Sequence, residues 1–448
     1  SAASDVYKRQ VRSIDSLRKE IAKARRRKRR IGFVPTMGYL HDGHLELVRE
    51  CRKRCDAVVV SIFVNPRQFG PGEDLERYPR DLKRDRKLLA EAGCDLLFVP
   101  SVEEMYPEDF RTVVGVEDLR DKLCGKFRPG HFDGVCVVVL KLLIAVMPDV
   151  AFFGEKDYQQ LVIIRRMVSD LSLPIEIVGI PTVREKDGLA MSSRNLYLTD
   201  EERSIATALY KSLELGKLMI LAGERRASRI KNRMMKLLID SGVTKVDYVA
   251  IVEPATLDDV TYIDREVRLA VAAWVGQARL IDNVGVNPAV PVRKYQKGNV
   301  AVILAAGEGK RMKSEKPKVL QTVGGKPMVE HVIDAARGAG LKQILVIVGH
   351  GRNRVEPFLR RLGVDSVIQE VQRGTGHALL QSYPALADFD GNVVVISGDT
   401  PLVTSRTIKH LVEIHTRRAN AITFATAVVP DATGYGRVVS CLLYTSDA

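Results

Sequence analysis

At 448 residues the chain exceeds one ordinary domain, and a prior of roughly 100–200 residues per domain suggests two to four. Hydrophobic residues make up 46% and charged residues 28%, which excludes a disordered chain and predicts packed domains almost throughout. The formal net charge of +14, from 69 Lys plus Arg against 55 Asp plus Glu, requires an anionic partner or a charged, soluble surface.

In chain order, SAASDVYKRQ fits no local pattern. Residues 1–10 are set aside as a non-native tail that resembles translated adapter sequence, as are residues 441–448. The densest basic run, Arg18 to Arg30, interleaves Ile21 and Ala22 with its charges and has no aromatic platform, which favours a solvated helix over a nucleic-acid stripe. From Ile31 onward, RIGFVPT, DAVVVSIFVNP, DLLFVP and DVAFFGEKD alternate with helical patterns. This predicts a Rossmann-like parallel sheet flanked by helices over 11–184, with ligands beyond the carboxyl ends of the strands. Pro35 to His44, Asn65 to Phe69 and Gly154 to Gln160 fall there. The apolar stretch Val135 to Met147 contains Lys141 and runs into Pro148 and Asp149, so it reads as a buried core segment rather than a membrane span. The six cysteines have neither metal-ligand nor disulfide-framework spacing, which points to reducing cytoplasm. Cys51 and Cys55, one helical turn apart, are read as core packing over half of a metal site.

Around Leu198 the pattern changes to helices, Asp200 to Ala222 and Ala227 to Ser241, followed by DYVAIVEP and LAVAAW as strands. A small α+β domain is expected over 185–283, then a linker over 284–298 that carries two prolines. A second βα series, NVAVILAAGEGKRM, QILVIVGH and NVVVISGDTPLV, predicts another parallel, nucleotide-type sheet from Asn299 onward.

PTMGYLHDGH places His41 and His44 where a strand turns into a helix, so both rings sit near unpaired amides and the positive end of the dipole, which favours phosphate. Surface histidines and two metal ligands are the alternatives. FFGEKDYQQL adds Lys156, Asp157 and Gln160, and DGLAMSSRN adds Ser192, Ser193 and Arg194. Together these supply cations, hydroxyls and imidazoles able to surround a triphosphate. Neither serine has a base arranged beside it in sequence, which favours hydrogen bonding over covalent catalysis.

PTMG-x-LH-x-GH, SIFVNP-x-QF, YPR, FGEKD-x-QQ and MSSRN occur in the order found in pantothenate synthetases, and over about Val11 to Asn283 the chain resembles that family. The resemblance implies that a pantoate carboxylate attacks the α-phosphate of Mg-ATP, and that the amine of β-alanine then attacks pantoyl adenylate, releasing AMP. It implies that His41, His44, Lys156, Ser193 and Arg194 stabilise the phosphates, and that Met37, Gly154, Asp157 and Ser192 join them around ATP. Gln68 and Gln160 would hold pantoate, Asn65 would order that pocket, and Asp85 would contact Mg²⁺. It further implies a cytoplasmic homodimer with no membrane or nucleic-acid partner.

LAAGEGKRM, with PKVL beginning ten residues after its first Gly, resembles sugar-phosphate nucleotidyltransferases. VIQEVQRGTGHALLQS, VISGDTPLV and ATGYGRVV extend the likeness to N-acetylglucosamine-1-phosphate uridylyltransferase. By that resemblance Leu304, Ala305, Ala306, Gly307, Arg311 and Lys318 would meet the nucleotide. Gln369, Gln372, Gly374 and Thr375 would read uracil, Asp399 would hold Mg²⁺ and Gly436 would approach the sugar. Lys310 stands where that signature often has Thr, and the family's later sugar-binding and metal-ligand residues have no counterpart. The resemblance thus implies an incomplete Rossmann-like nucleotidyltransferase domain over 299–440, expected to bind weakly or fold incompletely and not to turn over. A bifunctional protein using UTP and N-acetylglucosamine 1-phosphate is the alternative, if the domain is completed in the native gene.

Overall fold

The computed structural model describes residues 9–288, 294–307, 314, 316–372 and 374–426, and the chain divides into two compact units, Ser1–Val292 and Arg293–Ala448. Among the described residues of the first, β1 (Gln10–Val11), β2 (Ile31–Thr36), β3 (Ala57–Ile62), β4 (Leu96–Phe98), β5 (Val150–Gly154) and β6 (Glu176–Ile180) form one sheet ordered β1-β4-β3-β2-β5-β6. Every pairing is parallel. Such a sheet needs both faces covered, which is why its central strands are Val/Ile/Phe runs with little polar alternation. Neighbouring residues point to opposite layers. Phe33 and Val59 pack with Leu17, Ile21, Val135 and Leu161 of the helices Ile14–Arg26, His131–Val146 and Tyr158–Asp170. Val34, Val58 and Val60 pack with Leu45, Val48 and Leu89 of the helices Asp42–Arg54 and Leu82–Ala92.

The strand order decides where a ligand can enter. From β2 the chain moves outward to β3 and β4, then returns to lay β5 against the other side of β2. That reversal opens a crevice beyond the carboxyl ends of β2 and β5.

One expectation changes here and two hold. Gln10 belongs to the fold, because it pairs with Leu97 in β1 and the Leu97 amide donates to the Arg9 carbonyl (3.0 Å), so the tail set aside was too long. The apolar segment near Val135 is the buried helix His131–Val146, and among the described residues no helix is long and apolar enough to cross a membrane. Cys51 and Cys55 pack against β2, where a Cβ on Gly32 would lie 2.2 Å from Cys51 Sγ. The basic run is partly pinned to the body, with Arg25 on Asp149 (2.8 Å) and Arg30 on Glu176 (3.0 Å).

The remainder of the first unit lays the helices Asp200–Ala222 and Ala227–Asp240 over an antiparallel sheet of β7 (Lys245–Val252), β8 (Val267–Val275) and β9 (Ala278–Val286). Thr199 and Glu202 close a capping box at the start of the first helix, and Gly223, at φ +111°, ends it. Leu209, Leu213, Ile230, Met234, Leu269 and Val271 make a separate core. β9 runs past the domain end expected at Asn283, because Val284 and Val286 pair with Leu269 and Val267; the stretch taken as linker is correspondingly shorter.

In the second unit β10 (Lys297–Ala305) precedes a hairpin of β11 (Thr322–Val323) and β12 (Lys326–Pro327), then β13 (Gln343–Val348), β14 (Asp365–Ile368) and β15 (Asp390–Ser397). The parallel sheet is ordered β14-β13-β10-β15. It encloses a continuous core of Ile303, Val329, Val332, Ile333, Val346 and Leu359. At the β15 edge, Val393 and Val395 are 41% and 43% exposed, so that face is not covered among the described residues. Gly309, Lys310, Arg311 and Gly436 lie outside the described residues.

Candidate active site

At the end of β2 the chain reverses through Gly38 (φ +84°) and Tyr39 (φ +48°) before His41 caps the helix Asp42–Arg54. Asp85, reaching in from the helix Leu82–Ala92, holds this turn: its two oxygens accept the Tyr39 and Leu40 amides, each at 2.7 Å. The carboxyl is 1% exposed, and burial pushes its pKa up against the pull of those amides and Arg84. Each oxygen accepts one backbone amide, so Asp85 positions the His41 turn, and only the second lone pair of each oxygen is left for the Mg²⁺ contact expected of it.

The two imidazoles stack with centroids 4.0 Å apart. Burial, then Lys156, lowers the His41 pKa to about 4; burial, then His41 and Lys156, holds His44 well below its ordinary value. Both rings are neutral at pH 7. The His41 backbone amide donates to His44 Nδ1 (3.4 Å), which puts the His44 proton on Nε2 as an outward donor. His41 Nδ1 is buried with no partner among the described residues, lying over Gly43, where a Cβ would meet it at 2.9 Å. β2 and β5 lie side by side and parallel, so the segments leaving their carboxyl ends, with His41 and His44 on one and Lys156 on the other, converge.

Beyond β3, Asn65 is buried and organises a one-turn helix, Pro66–Gln68. Its Nδ2 donates to Gln68 Oε1 (3.2 Å) and the Gly134 carbonyl (3.0 Å), while its Oδ1 accepts from Tyr106 Oη (2.9 Å). Gln68 Nε2 is thereby aimed at Met37 Sδ (2.8 Å), a weak acceptor that a carboxylate readily replaces. His131, which sequence reasoning missed, sits behind Gln68. Arg128 can only donate to its Nε2 (3.1 Å), so Nδ1 carries the proton to the Gln68 carbonyl (2.7 Å). Burial, then Arg128, lowers its pKa to about 4. The signal available in sequence was RPGHF, another Gly-His step opening an apolar helix, with Gly130 at φ +77°.

Lys156 occupies a one-turn helix, Glu155–Asp157, at the end of β5, with Nζ 3.9 Å from Asp157 Oδ2. Gln160 lines the cavity, as does its buried neighbour Gln159, which donates to the Leu119 and Lys122 carbonyls (2.9 and 2.6 Å). Ser192 Oγ accepts the Arg194 amide (3.3 Å), and Ser193 Oγ donates to Tyr78 Oη (3.3 Å). Neither has the base a nucleophile needs. The Arg194 fork is held by Asp74 at 2.9 Å through both Nε and Nη2. Burial would raise the Asp74 carboxyl, but Arg194 outweighs it and the pKa falls. The sequence offered no hint of this acidic partner, which comes from the 70–80 loop. Lys156, Asp157, Gln160, Ser192, Arg194 and His131 line one cavity of about 930 Å³. His41, His44, Gln68, Met37 and Gly154 stand at the strand ends rather than on that cavity wall.

In the second unit, β10 carries Leu304 and Ala305 at its carboxyl end, followed by Ala306 and Gly307. Gln372 Nε2 donates to the Ala306 carbonyl (2.6 Å), and Gln369 lies 2.8 Å from His377 Nδ1. Gly374, at φ +90°, caps the helix beginning at Thr375. Lys318 is ion-paired with Asp399, which also accepts from Ser397 Oγ (2.5 Å). A Mg²⁺ at Asp399 therefore competes with an ammonium already present.

Residues 9–285 match the family model described as pantoate-beta-alanine ligase, and residues 301–444 match the one described as a MobA-like NTP transferase domain. The first match begins at Arg9 and the second enters the segment set aside as a tail. The pantothenate synthetase of Thermotoga petrophila is 57% identical over 273 residues, which is 61% of this chain and 98% of that protein. That of Moorella thermoacetica is 56% identical over 274 residues, 61% of this chain and 97% of that protein. Among solved structures, pantothenate synthetase from Thermus thermophilus superposes with a TM-score of 0.59 at 50% identity, covering 62% of this chain and 98% of its own. A pantoate-beta-alanine ligase from Francisella tularensis, complexed with beta-gamma ATP and beta-alanine, gives 0.53 at 33% identity, covering 62% and 99%.

Proposed function

The chain belongs, through residues 9–285, to the pantoate-beta-alanine ligase family, and from that premise we propose how its first unit works. It ligates pantoate to β-alanine with ATP. In the first step a pantoate carboxylate oxygen bonds to the α-phosphorus, and the bond to the bridging oxygen breaks, so that pyrophosphate leaves with the electron pair. In the second, the β-alanine nitrogen bonds to the acyl carbon, AMP leaves with the acyl-oxygen pair, and the nitrogen loses a proton.

The observation that carries this reading is the convergence of His41 and His44 from β2 with Lys156 from β5 at the switch point of the sheet. Neutral imidazoles donate hydrogen bonds to the phosphates without occupying the place of a cation, and the Lys156 ammonium supplies the charge that stabilises the departing pyrophosphate. Gln68 turns its amide from Met37 to the pantoate carboxylate, opposite Gln160, while Asn65 and His131 hold it. Ser193 and Ser192 shape the phosphate loop, and Arg194 reaches phosphate with the N–H groups that Asp74 leaves free. Asp157, Met37 and Gly154 complete the nucleotide wall. Mg²⁺ would arrive on the phosphates of ATP, and no step is routed through it.

The test is pantoate-dependent exchange of pyrophosphate into ATP. Lys156→Ala is expected to lose this exchange by about 10²–10³-fold with an unchanged unfolding midpoint. Wild-type exchange in that variant removes Lys156 from the mechanism. Homodimerisation through the first unit and a cytoplasmic setting belong to the same proposal, and sedimentation tests the former. For the second unit, the paired Lys318 and Asp399, together with the Gln372 contact to Ala306 at the end of β10, favour nucleotidyl transfer, with UTP and N-acetylglucosamine 1-phosphate as the substrates to try.

A further inference from the structure

The sheet formed by β7, β8 and β9 does more than close the cavity, because one of its side chains grips the backbone that carries Lys156. Asn283, in β9, is buried, and its Nδ2 donates to the carbonyls of Glu155 and Lys156, both at 2.9 Å. Those carbonyls belong to the peptide units before and after the Lys156 Cα. Peptide units are planar, so fixing both planes fixes φ and ψ of Lys156 and the direction in which its side chain leaves the backbone.

Asn283 is itself held on every side. Its Oδ1 accepts from Arg268 Nη1 (3.1 Å), and its backbone amide donates to Asp282 Oδ1 (2.8 Å). The Asp282 oxygens accept the fork of Arg184 at 2.6 and 3.0 Å in a pair that is almost wholly buried. Arg268 lies over the Tyr158 ring at 3.7 Å and 3.5 Å from Glu155 Oε2, on either side of the same turn. An amide is the side chain suited to this place: two N–H donors meet two carbonyls while one oxygen meets a guanidinium. A carboxylate would set oxygen against both carbonyls.

We infer that Asn283 is a positioning residue for adenylation, acting through Lys156 by clamping the peptide planes on either side of it. This rests on the role given to Lys156 above. The experiment uses the full chain as wild type, Lys156→Ala, Asn283→Ala, Asn283→Asp and the double variant Lys156→Ala/Asn283→Ala. Two rates are followed: pantoate-dependent pyrophosphate exchange, and transfer from preformed pantoyl adenylate to β-alanine.

Both Asn283 variants are expected to lower kcat of exchange by about 10–100-fold, as misplacing a catalytic group by an ångström does, with KM for pantoate and the transfer rate retained. In the Lys156→Ala background the Asn283 substitution is expected to cost nothing further, since residues acting as one unit are not additive. Multiplied losses in the double variant, or a raised KM with kcat intact, overturn the inference, because a merely structural role gives one or the other. Should Asn283→Ala fail to fold, Asn283→Asp, which keeps the volume and the Arg268 contact, reads the same quantities. Lost exchange in Lys156→Ala with wild-type exchange in both Asn283 variants defeats this inference alone. Wild-type exchange in Lys156→Ala defeats the functional reading beneath it.

Discussion

Asp85→Asn separates a turn-holding carboxylate from a metal ligand. The substitution keeps the shape but offers one oxygen and one NH₂ where two oxygens now accept the Tyr39 and Leu40 amides. One buried backbone amide therefore loses its acceptor and faces a donor, at a cost of about 1–3 kcal/mol. Part of this is returned, because the burial that raises the Asp85 pKa penalises a charge the amide does not carry. The expected net loss is about 1–2 kcal/mol, read as a lower urea midpoint at unchanged slope. Because Tyr39 sits at φ +48° two residues before His41, relaxing the turn also moves the imidazoles, and exchange activity should fall with it. The assay pairs urea unfolding with pyrophosphate exchange over a Mg²⁺ titration. An unchanged midpoint together with a large rise in the Mg²⁺ needed for half-maximal exchange would refute the assignment and restore Asp85 as a ligand.

Three further outcomes follow from the structure. His41 and His131 have pKa values near 4 when folded and an ordinary value of 6.5, so their stabilising effect is complete above pH 6.5 and is lost as pH falls towards 4, on the order of 3 kcal/mol for each. Urea midpoints measured between pH 7 and 4 check the sign, and a flat profile contradicts it. A bound triphosphate raises the His41 pKa, so ATP binding near pH 5.5 should take up protons, seen as a buffer-dependent enthalpy in calorimetry; no buffer dependence counts against His41 at the phosphates. Gly134→Ala places a Cβ 2.1 Å from the Arg67 carbonyl, forcing the 65–68 turn to shift, with a loss of about 1–3 kcal/mol and a raised KM for pantoate. An unaltered KM would show that Gln68 does not depend on that packing.

Strand-to-helix units were legible because their signals are local. PTMGYLHDGH carries a buried strand, a glycine turn and a helix start within ten residues, so the place of His41 and His44 followed directly. The helix bounds at Asp200 and Ala222 were equally legible, and the Thr199–Glu202 capping box and the Gly223 cap account for them. β9 was harder, since ARLIDNVGV interrupts its apolar residues with Arg279, Asp282 and Asn283, and only pairing with β8 shows why buried polar groups stand there. The role of Asp85 was not legible, because a carboxylate near a phosphate loop looks the same in sequence whether it faces a metal or two amides.

By itself the sequence determined the parallel sheet, the residue types that meet a triphosphate and the family to which they belong, because periodicity and short motifs act over a few residues. Tertiary structure alone decided which of those side chains are already engaged: Arg194 by Asp74, 120 positions away, and the Lys156 backbone by Asn283, 127 positions away. Hydrogen bonds of that span depend on how separate layers dock, and no local spacing encodes the docking.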